Sequence, residues 1–452
     1  MTPDDLSLTE ALEVAAAATP EAFVNLVRHL DPVWIEEALL NTGTATVRRR
    51  RLPADRVVWL VLGMAVMRDM AIPDVARQLE LALPGRDGSG TVAPSALAQA
   101  RGRLGSAPME WLFARTGWAW AAPSAEPHRW RGLALYGVDG STLRVPDSDE
   151  NRRHFGDQDA GAGRGTSGYP LVRLAVLMAL RTHVLAAAAF GPYADERHYA
   201  RQLWSSVPDH SLVLLDRLYL QADLLVPLMT TGCERHWLTR AKSTTKYTVV
   251  KKLGPGDDLV EFKVRREARR KDPSLPATFQ ARAIRYQRKG FRPQVLLTSL
   301  LDAERYPTDE LRALYHERWE LELGFGEIKT DMLERLEAIR SKSPTGVEQE
   351  LWGILLVYNL VRLEMARIAD ELGVEPTRIS FVAALRFFVE QWVWAATTAT
   401  PGGIPKRLGT MRDRIRRFVL PPRRSGRVFP RAVKLKMSNY ARKRPPTRRR
   451  AK

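Results

Sequence analysis

Residues 131–216 carry four short strand-like runs, and one of them, YPLVRLAVLMAL at 169–180, is apolar almost throughout. A strand with apolar side chains on both sides of its pleat is buried on both faces. The runs before and after it read LALYGVDGSTLRV and HVLAAAAFGPY (183–193). A helical stretch, ERHYARQLWSSV (196–207), precedes the fourth strand, SLVLLD (211–216), and ADLLVPLMTTG then reads as a helix. The order is strand, strand, strand, helix, strand.

Two of these runs end in an acid. Asp139 closes LYGVD, with Gly140 and Ser141 opening a turn, and Asp216 closes SLVLLD. A carboxylate at the end of a buried strand is costly unless it is solvated, paired or holding a cation. For either acid alone a structural cap is the common explanation. Two on neighbouring strands suggest a hard-cation site built of oxygens.

The flanks differ in period. Residues 8–127 read as mostly helical, in TEALEVAAAA, PVWIEEALL, PADRVVWLVLGMAVMRD and AIPDVARQLELAL. GRDGSG (85–90) is a loop, and PSALAQARGRLG then starts at a capping Ser95 and ends at Gly105. Short helices in series with Arg101 and Arg103 on the last suit a helix-turn-helix DNA reader. A plain helical bundle suits them equally. The run Arg48–Arg51 either touches phosphates or is a solvated charge run. From 236 to about 300 strands return (HWLTRAK, KYTVVKKL, LVEFKVRR, FQARAIRYQR, PQVLLTSL), divided by GPGDD and DPSLP, as a basic all-β insertion. Helices follow at 308–340, 345–372 and 379–395.

Charge is distributed unevenly. The chain of 452 residues has a net charge of +19. Residues 406–452 hold +18 of it and residues 237–292 hold +11, so the remainder is mildly acidic at −10. Concentrated basicity points to a polyanion, and directed contact with a phosphate backbone is the leading reading. The tail is otherwise a solubilising end. The opening MTPDDLSLTEALE lacks a signal-peptide pattern. Apolar runs such as WLVLGMAVM fall short of the roughly 18–20 residues that span a bilayer, so no membrane partner is expected. The single cysteine, Cys233, excludes an internal disulfide and a cysteine zinc cluster, which fits a reducing compartment.

On a regular helix at 308–340, Tyr315, Arg318, Glu322 and Lys329 fall within one arc of about 60°. Glu317, Glu320, Glu327 and Asp331 point elsewhere. One face thus carries a lone carboxylate flanked by a phenol and two cations. Taken alone, an ordinary salt-bridged face is the better explanation, since Arg318 and Glu322 are an i,i+4 pair.

That spacing, Tyr-x2-Arg-x3-Glu-x6-Lys in YHERWELELGFGEIK (315–329), resembles the signature of the IS-four family of bacterial insertion-sequence transposases. YGVDGSTLRVPDSDEN and LVLLDRLYL resemble that family's two catalytic aspartate regions. RRRLPADRVVWLVLGMAVMRD, RSKSPTGVEQELWGILLVYNLVR (340–362) and FPRAVKLKMSNYARKR (429–444) also resemble members, so the likeness spans nearly the whole chain. One departure is Leu218, where members often have glycine two residues after the second Asp.

The resemblance implies an α+β multidomain chain. A helical N-terminal domain (1–127) binds DNA ends, and a ribonuclease-H-like α/β catalytic core begins at 128–235. A basic β-rich insertion (236–302) precedes the second part of the core (303–395), which bears the glutamate helix, and a basic C-terminal tail (396–452) follows. Asp139, Asp216 and Glu322 are the implied catalytic acids, holding two Mg²⁺ ions with Mn²⁺ able to substitute. Tyr315, Arg318 and Lys329 would bind DNA phosphate, alongside Arg101 and Arg103 of the N-terminal helices. Implied partners are double-stranded DNA, as the element's terminal inverted repeats and the target, and a second copy of the chain. The implied location is the bacterial cytoplasm, at the nucleoid when DNA is bound. The implied reaction passes through a DNA hairpin with an extruded base, for which Trp237 or Trp319 offers a stacking surface unless core packing claims them. Two other readings remain: a non-catalytic DNA-binding derivative of a transposase, and a generic ribonuclease-H-type nuclease acting on hybrids.

Overall fold

The computed structural model describes residues 30–45, 52–81, 92–156, 168–287, 293–333, 338–397 and 404–421. The helix expected at 9–18, the Arg48–Arg51 run, the 85–90 loop and the tail beyond 421 lie outside the described residues.

Nine strands form one sheet. In chain order they are β1 (Ala134–Arg144), β2 (Leu171–Ala179), β3 (Leu185–Pro192), β4 (Ser211–Leu215), β5 (Arg235–Arg240), β6 (Thr248–Gly254), β7 (Asp257–Lys263), β8 (Thr278–Tyr286) and β9 (Gln294–Thr298). The spatial order is β3-β2-β1-β4-β5-β9-β8-β7-β6. Strand β2 runs antiparallel to β1 and β3, while β4 and β5 run parallel to β1. These five make the ribonuclease-H-like core.

The boundary expected at 236 therefore falls inside the core sheet. Strand β5 pairs in parallel with β4, and β9 pairs antiparallel with β5, so the basic insertion continues the same sheet. Within it, Arg282 is fully buried and binds Asp257, the Tyr306 carbonyl (2.6 Å) and the Thr308 hydroxyl (2.9 Å). That ties the insertion to the start of the glutamate helix. The outer strand β6 exposes Val249 and Val250 but carries Lys251 and Lys252, charges that blunt an open edge.

Helices α1 (Pro32–Asn41), α2 (Ala54–Val66), α3 (Ile72–Gln78), α4 (Pro94–Leu104) and α5 (Ala107–Ala125) form the N-terminal region. A helix-turn-helix needs a turn of about 3–4 residues. The link from α3 to α4 passes through 82–91, which lie outside the described residues. Pro94 opens α4 after Ala93, which places Ser95 inside the first turn rather than at the cap.

Further along are α6 (Asp149–Phe155), α7 (Glu196–Gln202), α8 (Ala222–Thr230), α9 (Arg266–Lys271), α10 (Thr308–Leu314), α11 (Trp319–Gly326), α12 (Pro344–Leu372), α13 (Phe381–Thr397) and α14 (Ile404–Ile415). The start of the expected tail is folded: in α14, Met411 and Ile415 are buried and Arg412 pairs with Glu364 of α12 at 3.1 Å. Among the described residues no helix is long and apolar enough to cross a membrane.

Helix α12 is the central pillar, buried continuously from Gln349 to Met365. Its Asn359 side chain accepts from Leu185 N (2.8 Å) and donates to Leu185 O (2.9 Å), clamping the helix to β3. Its Glu350 is wholly buried and receives Arg68, the Arg340 N–H (3.0 Å) and the Ser341 N–H and hydroxyl. Arg340 in turn donates to the carbonyls of Met64, in the last turn of α2, and of Arg68 and Met70 just beyond it. Apolar burial presses α2 on α12, and this polar knot sets their register. Removing one partner from a buried, hydrogen-bonded ion pair typically costs about 3–5 kcal/mol, because the remaining charge is stranded. Glu350→Ala should therefore lower unfolding stability by about that amount in a denaturant titration. A loss below about 1 kcal/mol would show that the knot is dispensable.

Candidate active site

Strands β1 and β4 pair with Val138 opposite Leu215. The next residues, Asp139 and Asp216, thus lie side by side where β4 ends. Strand β1 does not turn at Gly140–Ser141 as its sequence suggests. It continues to Arg144 because β2 keeps pairing with it, Gly140 opposite Ala175 and Arg144 opposite Leu171. Asp139 is a mid-strand acid exposed by the end of its neighbour. Asp216 precedes a single 3-10 turn, Arg217–Tyr219. Leu218 sits in that turn without a positive φ and packs partly on the core, so a glycine is not required there.

Asp139 Oδ1 accepts from the Gly140 N–H at 2.9 Å. Burial lifts its carboxyl to about 7, with Glu196 and Asp216 adding to the rise and the Gly140 N–H and Arg318 opposing it. The carboxylate is destabilised where it stands and gains from any cation that arrives.

The glutamate helix is not one regular helix. Helix α10 passes into a 3-10 turn (Tyr315–Arg318), then α11, then a π-helical turn (Glu327–Met332), and the helical run ends there, short of the expected 340. The tightened turn still presents Arg318 Nη2 to Glu322 Oε1 at 3.0 Å. Burial works against the Arg318 charge, but Tyr315, Glu322 and Asp139 outweigh it and keep it protonated. Tyr315 is buried, which pushes its phenol up to about 12 against the pull of Arg318 and Arg240. Tyr315, Arg318 and Glu322 therefore share one neighbourhood with Asp139 and Asp216. Lys329 lies beyond the change of pitch, half-buried in the wide π turn.

The acids on the other faces are anchors. Glu317 takes Arg181 in a two-pronged pair, Glu320 meets His183 Nε2 at 3.0 Å, and Glu327 takes Arg362 and the Tyr358 hydroxyl (2.8 Å). They bolt the helix to the sheet and to α12, leaving Glu322, whose side chain is 41% exposed, at the open face.

One expectation needs correction. Arg101 does not offer its guanidinium to DNA: it donates to Gln349 (2.8 Å), Ser341 (2.9 Å) and the Gly346 carbonyl, joining α4 to α12. Arg103 on the same helix is exposed. Trp237 is wholly buried on β5, because that strand is central, so it offers no stacking face. Trp319 is 53% exposed. It lines a cleft of about 270 Å³ with Tyr286, His316, Tyr315, Arg318 and Arg240.

Three residues beside the acids carry no sequence signal. Glu196 reads there as an ordinary first-turn acid of α7, yet its carboxylate lies over Gly140. Tyr219 donates to it and Arg173 of β2 pairs with it at 3.3 Å.

Asp139, Asp216 and Glu322 supply the oxygen donors that a hard divalent cation takes. Among the described residues no three His, Cys, Asp or Glu side chains already converge as a metal cage. Glu322 is turned onto Arg318 instead. The donor chemistry and the destabilised Asp139 carboxylate fit a cation.

The chain is similar to known transposases. The family described as insertion element 4 transposase N-terminal matches residues 20–114, and the transposase DDE domain matches residues 132–360. The chain is 39% identical over 414 residues to transposase InsG for insertion sequence element IS4 of Escherichia coli (strain K12), covering 91% of this chain and 92% of that protein. It is 40% identical over 214 residues to the putative transposase InsZ of the same organism, covering 47% of this chain and 70% of that one. A cryo-EM structure of a piggyBac transposase synaptic complex with hairpin DNA aligns with 90% of this chain and 87% of its own, at 11% identity and a TM-score of 0.43.

The raised Asp139 makes a pH prediction. Its folded value of about 7 exceeds the unfolded value near 3.9. The native state then holds the extra proton, and this group's contribution to stability falls as pH rises from about 4 to about 7. In EDTA, Asp139→Asn should therefore melt higher than wild type at pH 8, by about 1 °C for each kcal/mol relieved in a chain of 452 residues. At pH 5 the wild-type acid is neutral in the native state but mostly ionised in the unfolded one, so roughly a third of the difference should remain, and it should vanish only below about pH 4. Equal melting at both values would refute the buried-charge account.

Proposed function

The chain belongs to the insertion element 4 family of DDE transposases, and we propose that it cuts the ends of its own insertion sequence and joins them to target DNA at the Asp139–Asp216–Glu322 site. It is a DNA transposase, and DDE transposase domains generally use divalent metal ions. The finer reading is that the three acids hold two Mg²⁺ ions, with Mn²⁺ able to substitute. The observation that carries it is the parallel register that brings Asp139 and Asp216 together beneath the Arg318–Glu322 face. When bound, such ions neutralise charge on the entering and leaving oxygens of an in-line phosphoryl displacement.

The chain's own residues do the positioning. A DNA phosphate is a stronger two-pronged acceptor for Arg318 than one carboxylate oxygen. Once a phosphate takes Arg318, Glu322 is released to turn toward the aspartates, so substrate binding completes the acid set. Tyr315 and Lys329 hold the same phosphate run. Water attacks at the element end and frees a 3′-hydroxyl. That hydroxyl attacks the opposite strand to form a hairpin, which water reopens before the 3′ end joins the target.

Hairpin formation requires an extruded base, and the exposed Trp319 face with Tyr286 offers the stacking surface. The basic insertion tracks the backbone. Lys242, Lys246, Lys263, Arg265 and Lys271 line a cleft of about 970 Å³ that begins at Leu220–Asp223, just past Asp216. The N-terminal helices, through Arg103, recognise the ends, and two copies act on paired ends.

The test begins with the DNA flanking the gene, read for short inverted repeats. A labelled repeat-bearing fragment with Mg²⁺ should be nicked at the repeat boundary. Glu322→Gln should lose roughly 10⁴-fold in cleavage while binding the fragment as wild type does. Specific binding without cleavage by folded wild-type protein, in Mg²⁺ or Mn²⁺, would make the chain a non-catalytic derivative. End binding should also weaken at least about tenfold between roughly 50 and 200 mM salt as counterions are released. A flat dependence would remove the basic segments from the DNA surface.

Substituting Trp319→Ala should slow hairpin formation more than the first nick. Equal slowing of both steps would assign the base to another surface.

A further inference from the structure

Beside the two aspartates stands a fourth carboxylate that the family signature does not contain. Glu196 opens α7, and its side chain is 13% exposed. A Cβ built on Gly140 would lie 2.2 Å from Glu196 Cδ, so the carboxyl group rests directly on the backbone that follows Asp139. Its Oε1 accepts from the Tyr219 hydroxyl, three residues after Asp216. Its Oε2 faces Arg173 Nη1 at 3.3 Å, and Arg173 lies on β2 opposite Thr142 of β1. Tyr219 is buried, and its phenol is held well above its ordinary range by that burial and by Glu196. The hydroxyl therefore stays a donor.

We propose that Glu196 is a positioning residue of the acid site, a brace that fixes the Asp139 and Asp216 strand ends at one separation. It touches the first through Gly140 and the second through Tyr219. The parallel ladder aligns the two strands only as far as Val138 and Leu215. Beyond that pair the β1–β4 ladder ends and the chain enters the Arg217–Tyr219 turn. Glu196 spans the two strand ends with one carboxylate. Both its oxygens have protein partners, which marks it as a support rather than a ligand. Glycine at 140 is required for the same reason: any larger side chain displaces the brace.

The proposal rests on the reading that Asp139 and Asp216 hold the divalent ions. Groups that orient metal ligands typically change metal affinity by about 10–100-fold when removed. The test titrates Mn²⁺ alone into the full chain, reading free Mn²⁺ by electron paramagnetic resonance, with binding of the labelled element end measured in parallel. Glu196→Ala should weaken Mn²⁺ binding by about 10–100-fold and leave end binding unchanged. Tyr219→Phe, which removes one hydroxyl and keeps the carboxylate, should move it in the same direction. Glu196→Gln keeps an acceptor for Tyr219 and should recover most of the affinity.

Unchanged Mn²⁺ affinity in folded Glu196→Ala and Tyr219→Phe overturns the proposal. So does a Glu196→Gln as weak as Glu196→Ala beside a Tyr219→Phe that matches wild type, since the charge itself would then be the ligand. Asp139→Ala is the control for the underlying reading. If it binds Mn²⁺ like wild type, the metal assignment fails, and the brace with it.

Discussion

The parallel pairing of β1 with β4 creates an electrostatic problem that the surrounding structure answers. It sets Asp139 and Asp216 side by side at the edge of a buried sheet, where two negative charges repel and water is scarce. Arg318 offers partial neutralisation from the facing helix and the Gly140 N–H offers a hydrogen bond, yet Asp139 remains well above its ordinary range. A fold that keeps such a pair unrelieved is poised to take up positive charge. A well-paired alternative would be more stable and would have no use for a cation.

Rigidity elsewhere keeps that strained site in shape. Glu317, Glu320 and Glu327 anchor the glutamate helix from behind, through Arg181, His183 and Arg362, and the helix changes pitch twice to satisfy them. Asn359 locks α12 to β3, and the Glu350 knot locks α2 to α12. The basic insertion is held in the same way, because its strands extend the catalytic sheet and Arg282 ties them to the helix entry. A cleft lined with lysines and arginines opens at Leu220, in the segment that follows Asp216.

Much of this was legible in residue order. Each core strand, the acids at two of them and the Arg318–Glu322 pair follow from apolar runs and i,i+4 spacing, which are local properties. The exceptions share one physical cause. Arg101 looks like a DNA contact in a basic chain but spends its donors on Gln349 and Ser341, partners far away in sequence. The boundary at 236 failed for the same reason, since a change in composition carries no information about which strand continues which sheet.

What the sequence by itself determined was the set of elements, the acid residues and the family. Those depend on periodicity, strand-end chemistry and a spaced signature, each readable within a few turns of chain. Tertiary structure alone decided which charges face outward and which are internal ties, that the insertion shares the core sheet, and that Glu196 rests on Gly140 between the two aspartates. A side chain's role depends on the partner that arrives from elsewhere in the chain, and only packing brings that partner within hydrogen-bonding distance.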